Sequence, residues 1–114
     1  NLEIRKLNSG NKKKNEKVSI GIPAEYPTFF VDKCKKNFKK ETKIKKAFLL
    51  QMVRENFKKS FLLVIDSEDD DQVLPDASNN LHQYLRKEDI LDVVSFNSDF
   101  GRNVTKEYSP FYEK

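Results

Sequence analysis

The sequence predicts an α+β domain with the element order β-α-β-β-α-β: an antiparallel sheet, two helices on one of its faces, and a short C-terminal helix with an aromatic tail. Three observations predict it. Phe61-Leu62-Leu63-Val64-Ile65 is an unbroken apolar run between Lys58-Lys59-Ser60 and Asp66-Ser67-Glu68. A run this short, with two β-branched members, reads as a strand buried on both faces and therefore central in its sheet. A buried helical turn would look the same over five residues, but the polar flanks leave no room for a helix of ordinary length. Around this run, two segments keep helical apolar spacing and three others read as strands.

Residues 1–17 form a lead-in of edge strand and linker. Leu2, Ile4 and Leu7 suit a short edge strand, Asn8-Ser9-Gly10-Asn11 has turn chemistry, and Lys12-Lys13-Lys14-Asn15-Glu16-Lys17 reads as a solvated charged loop. Val18, Ile20 and Ile22 alternate on one face of a first strand, with Gly21 opposite, where another element can approach closely. Pro23 ends that strand. A helix starts near Thr28, which can cap it, and Phe30, Val31, Cys34 and Phe38 make its apolar face. The second strand spans 44–55. Ile44, Phe48, Leu50 and Met52 share one of its faces; Ala47, Leu49 and Val53 share the other. A hairpin loop over 55–60 leads into the central run.

The second helix spans about 72–87 on Val73, Ala77, Leu81, Tyr84 and Leu85, with Pro75 fitting only in the first turn. The last strand, 90–96, sets Leu91 and Val93 opposite Val94 and Phe96, with a break in alternation that suits a bulge. A short helix over 102–107 and a docked Pro-Phe-Tyr complete the chain. The full order is that of the ferredoxin-like split βαβ unit, in which the first and third strands are central. In that layout the helices leave one sheet face open. Ala47, Leu49 and Val53 then need cover from the N-terminal segment, the aromatic tail or a partner chain.

Composition bounds the function. The 114 residues fit one domain, 37% hydrophobic and 35% charged. No stretch approaches the roughly 18 apolar residues that span a bilayer, and no apolar signal segment opens the chain; a cytoplasmic location without a membrane partner fits best. Residues 1–60 hold 17 Lys/Arg against 6 Asp/Glu, and residues 61–114 hold 5 against 12. This asymmetry reads first as a soluble mixed surface and second as an electrostatic site. Cys34 is the single cysteine, which excludes an internal disulfide and a Cys-based zinc site. Its place on an apolar helix face favours burial over a reactive thiol.

The five acids of residues 66–71 lack the Gly and the closing Glu of a calcium loop. They read as a solvated loop favouring a helix N-terminus. His82, the single histidine, has no second His and no poised Ser or Cys. No catalytic residue, metal ligand or cofactor is therefore expected. Lys35, Lys36, Lys39 and Lys40 on the first helix are a solvated surface, with anion binding as the minor reading. Tyr108, Pro110, Phe111 and Tyr112, with Ala47, Leu49 and Val53, are the candidate interaction surface.

The same residues carry a resemblance. Ile20-Gly21-Ile22-Pro23-Ala24-Glu25-Tyr26-Pro27 resembles the xGxPAxYP opening of the C-terminal domain of the SseB family, the enhanced serine sensitivity proteins of bacteria. Ala47-Phe48-Leu49-Leu50-Gln51-Met52 resembles its AYLxQ strand, and Phe61-Leu62-Leu63-Val64-Ile65 loosely its HLLIGL strand. Pro110-Phe111-Tyr112-Glu113-Lys114 resembles its PFYxR ending. The matches run in order over 18–114, with departures in the Lys/Asn richness and the acidic loop. The resemblance implies an SseB C-terminal-like domain over 18–114, a similar domain preceding it in the full-length chain, and no catalytic residues.

Three functions are expected, in this order. The first is a non-catalytic protein-interaction or regulatory domain, with a protein partner or a homodimer formed through the second sheet face or the aromatic tail. The second is a small-molecule, amino-acid-sensing domain, by analogy of fold and family name. The third is weak nucleic-acid binding, disfavoured because residues 59–66 lack the Gly and aromatic positions of an RNA-recognition strand.

Overall fold

The computed structural model describes Glu3–Ile4 and residues 16–55 and 58–114. The strands are β1 (Glu3–Ile4), β2 (Glu16–Gly21), β3 (Ile44–Arg54), β4 (Lys59–Ser67), β5 (Leu91–Ser95) and β6 (Tyr112–Glu113). The helices are α1 (Thr28–Lys40), α2 (Asp70–Leu81) and α3 (Asp99–Thr105), and a single 3-10 turn, His82–Tyr84, continues α2. The sheet runs β1-β2-β3-β4-β5, and β6 adds to β3 beyond the end of β2. The β2–β3 and β3–β4 pairs are antiparallel, while β4 and β5 are parallel across α2.

The architecture is α+β with a mixed sheet and three helices, and the strand order departs from the ferredoxin-like one. The apolar run 61–65 is central, between β3 and β5, as its composition demands. The first strand of the repeat, β2, is not beside it: β2 lies across β3, antiparallel. The same β-α-β-β-α-β order thus serves two pairings. Helical and strand periodicities name the elements, but they carry no information about which strand is the neighbour.

The helices α1 and α2 cover one face of the sheet. Phe30, Val31, Cys34 and Phe38 of α1 and Val73, Ala77 and Leu81 of α2 pack on Ala47, Leu49, Phe61, Leu63 and Ile65. Leu85 packs at the margin of the same cluster. Ala47 and Leu49 are therefore core, and the expectation that they lie on an uncovered face is corrected. A strand apolar on both faces does not reveal which face the helices choose. Ile44 also joins this cluster rather than the face of Phe48, because the β3–β4 register slips between Ile44 and Lys46. One extra residue in a strand turns its side chain to the other face.

The opposite face buries Val18, Ile20, Phe48, Leu50, Met52, Leu62 and Val64 under Val104 of α3, with Val94, Phe96, Phe100 and Tyr108 packed around them. The contact of α3 with the sheet depends on Gly101. A Cβ there would stand 1.9 Å from the Ser95 carbonyl oxygen and 2.9 Å from the Phe96 Cα. Ser98 caps α3, its hydroxyl accepting from the Gly101 N–H at 2.9 Å and donating to the Ser95 carbonyl at 2.7 Å. The helix is thus fastened to the end of β5 by its first turn.

Element boundaries shift in three places. The N-cap position of α1 is Pro27, with no side-chain cap, and Thr28 is the first helical residue. The second helix begins at Asp70 and ends at Leu81, so Pro75 sits in its second turn and removes one i→i−4 hydrogen bond. The last helix starts at Asp99 rather than 102. Alternation in β5 is regular: Leu91 and Val93 meet the α1/α2 cluster while Val94 meets the other, with no bulge. Of the lead-in, residues 1, 2 and 5–15 lie outside the described residues, and the charged loop expected up to Lys17 is strand β2 from Glu16 onward.

Candidate functional site

An open cleft of about 740 Å³ lies on the α1/α2 side of the sheet, beyond the ends of both helices. Its floor is Gln51, Lys59 and Phe61. One wall is the Ala24–Pro27 loop and the first turn of α1, and the other is the segment from Tyr84 to Ile90. Pro23 and Pro27 bracket the loop, and neither can donate a ladder hydrogen bond. The Tyr26 carbonyl accepts from the Thr28 N–H at 2.9 Å, which turns the chain into α1.

Three of the four large exposed apolar side chains among the described residues line this cleft. Phe29 is 63% exposed, Ile22 57%, Tyr26 44% and Ile90 38%. Tyr26, Phe29 and Ile90 line the cleft and Ile22 stands at the start of its loop. Phe29 and Tyr84 meet edge to face at 6.4 Å, and the Lys33 ammonium sits 5.3 and 5.6 Å from their ring centres. That geometry joins the two walls through a cation–π contact.

Opposing charges line the cleft. Arg86 donates to both Asp89 carboxylate oxygens at 3.2 and 3.3 Å, and its backbone N–H bonds the same group at 3.1 Å. That hydrogen bond, then the charges of Asp89 and Glu88, raises the Arg86 pKa. Burial, and second the neighbouring Cys34, raises that of the Tyr26 phenol, which therefore stays a hydrogen-bond donor at neutral pH. Ser60 contributes to the lining and is 5% exposed, with no hydrogen-bond partner for its hydroxyl. It pairs with Met52, whose side chain belongs to the α3 cluster. By strand alternation the Ser60 hydroxyl turns to that face and away from the cleft.

The residues singled out from sequence fall elsewhere. Lys35, Lys36, Lys39 and Lys40 are exposed on the outside of α1, away from the cleft. Ala47 and Leu49 are buried under the helices, and Val53 is half-buried between Ser19 and Lys59. Tyr108, Phe111 and Tyr112 fold back on the domain and are half-buried. The Tyr108 hydroxyl donates to the Ile20 carbonyl at 3.3 Å, close to Gly21. Phe111 and Tyr112 meet the Phe38 ring at 6.2 and 5.5 Å between centres.

The acidic segment is tied into the fold. Asp70 accepts from the Ser67 and Ser95 hydroxyls at 2.6 and 2.5 Å, joining the ends of the parallel strands β4 and β5. Asp69 pairs with Lys43 at 3.4 Å. Among the described residues no group of three or more His, Cys, Asp or Glu is placed to hold a metal ion.

Cys34 is fully buried against the sheet, and burial pushes its thiol up to about 12. The unfolded chain, with a thiol near 9.0, releases its proton first. The stability tied to the neutral thiol is present below pH 9 and is lost as pH rises towards 12. The melting temperature of the wild type should therefore fall more steeply over that range than that of Cys34→Ala. Parallel curves for the two proteins would show that the thiol is not desolvated.

Sequence reasoning missed the cleft because four separate segments build it. One signal was present. At about 100° per residue, Phe29 falls off the apolar face of Phe30, Val31, Cys34 and Phe38. A phenylalanine on the polar side of a helix marks a surface that something else covers. The sequences at 20–27 and 47–52, which carry the family resemblance, supply Ala24, Glu25, Tyr26, Pro27 and Gln51 of the lining.

No significant match was found among curated proteins or among solved structures. Residues 12–114 match the SseB protein C-terminal domain, which covers the loop, both helical layers and the tail. With nine-tenths of its length inside that match, the chain belongs to the SseB C-terminal domain family.

Proposed function

We propose that this SseB C-terminal domain is a non-catalytic interaction module that receives a segment of a protein partner in the cleft between the Ala24–Pro27 loop and the Tyr84–Ile90 segment. One observation carries the reading: Tyr26, Phe29 and Ile90, three of the four large apolar residues left exposed among the described residues, line one cleft. Exposed apolar groups scattered singly need no explanation, but a convergent set rimmed by charge marks a contact surface. Aromatic rings in such a position are the usual carriers of interface energy. The polar groups of the cleft, Gln51, Lys59 and the Arg86–Asp89 pair, suit hydrogen bonding to a backbone laid across apolar pockets.

A photo-crosslinking residue at position 29 of the full-length protein tests this in its own cell extract. The expected result is a discrete protein adduct, absent when the same probe stands at Lys40 on the far side of α1 and lost on Tyr26→Ser. Equal labelling at both positions would overturn the reading.

The cleft volume favours a second reading, an amino-acid-sensing site, because about 740 Å³ lies within the range of small-molecule pockets. Calorimetry with serine separates the two. A saturable heat abolished by Gln51→Ala would replace the protein segment with the small ligand.

A further inference from the structure

The outer edge of β3 is completed from two ends of the chain. β2 pairs with Gln51–Arg54, and β6 pairs with Lys46–Ala47. Between them, Phe48–Leu50 has no strand partner on that side among the described residues. The tail is held there through its last four residues, the Lys114 ammonium donating to the Thr42 carbonyl at 2.6 Å. Its backbone donates from Phe111 to Ala47 at 2.9 Å and from Lys114 to Lys45 at 2.8 Å. The Tyr112 hydroxyl reaches the Phe38 carbonyl at 3.4 Å. The tail rings are only half-buried, whereas Phe38 and Ala47, which receive them, are 1% and 0% exposed.

We propose that residues 111–114 act as an exchangeable strap: two copies of the chain trade tails, each copy's β6 completing the β3 edge of the other. The acceptor edge fits this sequence in particular. Lys46 stands opposite Glu113 in the register, and Phe38 meets two consecutive aromatic residues. A second copy supplies that same segment, so an exchanged tail makes the contacts it makes at home. The hinge is residues 106–110, between the end of α3 and the strap. Five residues reach about 17 Å when extended, and Pro110 favours an extended path. The proposal uses no cleft residue, so its failure leaves the cleft reading standing.

The test uses full chains carrying Lys46→Cys or Glu113→Cys singly, mixed at high concentration, warmed towards the melting transition, cooled and oxidised. The buried Cys34 thiol stays unreactive in the folded protein. The expected product is a disulfide-linked pair containing one chain of each variant. Lys46→Cys alone and Glu113→Cys alone should give little linked product. The double variant, oxidised when dilute, should close within one chain and then remain a monomer at any concentration. No mixed product, with the double variant closing normally, would overturn the exchange. Failure of the double variant to close would remove the β6 register, and the proposal with it. Equal linking in the single-variant controls would mean random collision and would also overturn it.

Discussion

Gly101→Ala should destabilise the domain by about 3 kcal/mol or more, the upper end of overpacking costs. The new Cβ would lie 1.9 Å from the Ser95 carbonyl oxygen, 2.8 Å from its carbon and 2.9 Å from the Phe96 Cα. All three are backbone atoms, so no side chain can swing aside. Relief requires α3 to lift from β5. That movement breaks the Ser98 cap, whose hydroxyl bridges Ser95 and Gly101. It also uncovers Val64, Leu62 and Phe48, which Val104 helps to bury. Urea denaturation measures the effect, and a loss below about 1 kcal/mol would mean that α3 does not press on the sheet as described.

Phe38→Ala should cost about 3–5 kcal/mol, the usual range for emptying a buried aromatic site. Phe38 is 1% exposed and sits where α1, the β3 edge and the tail meet. Its removal leaves a cavity under α1 and deprives both Phe111 and Tyr112 of a ring contact. Phe111→Ala should cost less, because that ring is only half-buried. Against a typical stability of about 5–15 kcal/mol, the Phe38 variant would be marginal at room temperature. An equal cost for the two variants would place the tail, rather than α1, as the main partner of Phe38.

What the sequence made legible is the set of locally encoded elements. The apolar run 61–65, the α1 face of Phe30, Cys34 and Phe38, and the return of the aromatic tail all follow from short-range pattern and composition. Strand order does not. β2 could pair with β3 or with β4 on pattern alone, since both are apolar on two faces. The helix-facing side of β3 was equally hidden: Phe48, Leu50 and Met52 look as buried as Ala47 and Leu49. The slip at Ile44 further mixes the faces, and a bulge has no side-chain signature there. The cleft was illegible for another reason. Tyr26, Gln51, Tyr84 and Ile90 are distant in sequence and meet only after the pairing is fixed.

The fastening of α3 to Ser95 also bears on aggregation. Hydrogen bonds from Phe61 to Ile90 and from Phe96 to Ile65 aim the even-numbered residues of β5 at β4, so Leu91, Val93 and Ser95 turn their backbone groups outward. No strand among the described residues pairs that side. An edge of this kind is a template on which further copies can stack. Antiparallel stacking centred on Val93 would need the Ser95 carbonyl, which Ser98 already occupies and Gly101 crowds. Centring on residue 92 would instead set two Asp92 carboxylates face to face, each with the Arg54 guanidinium 3.9 Å away as counter-charge. One helix turn thus denies this edge the symmetric pairing centred on Val93, beside the half-buried side chains of Leu91, Val93 and Val94.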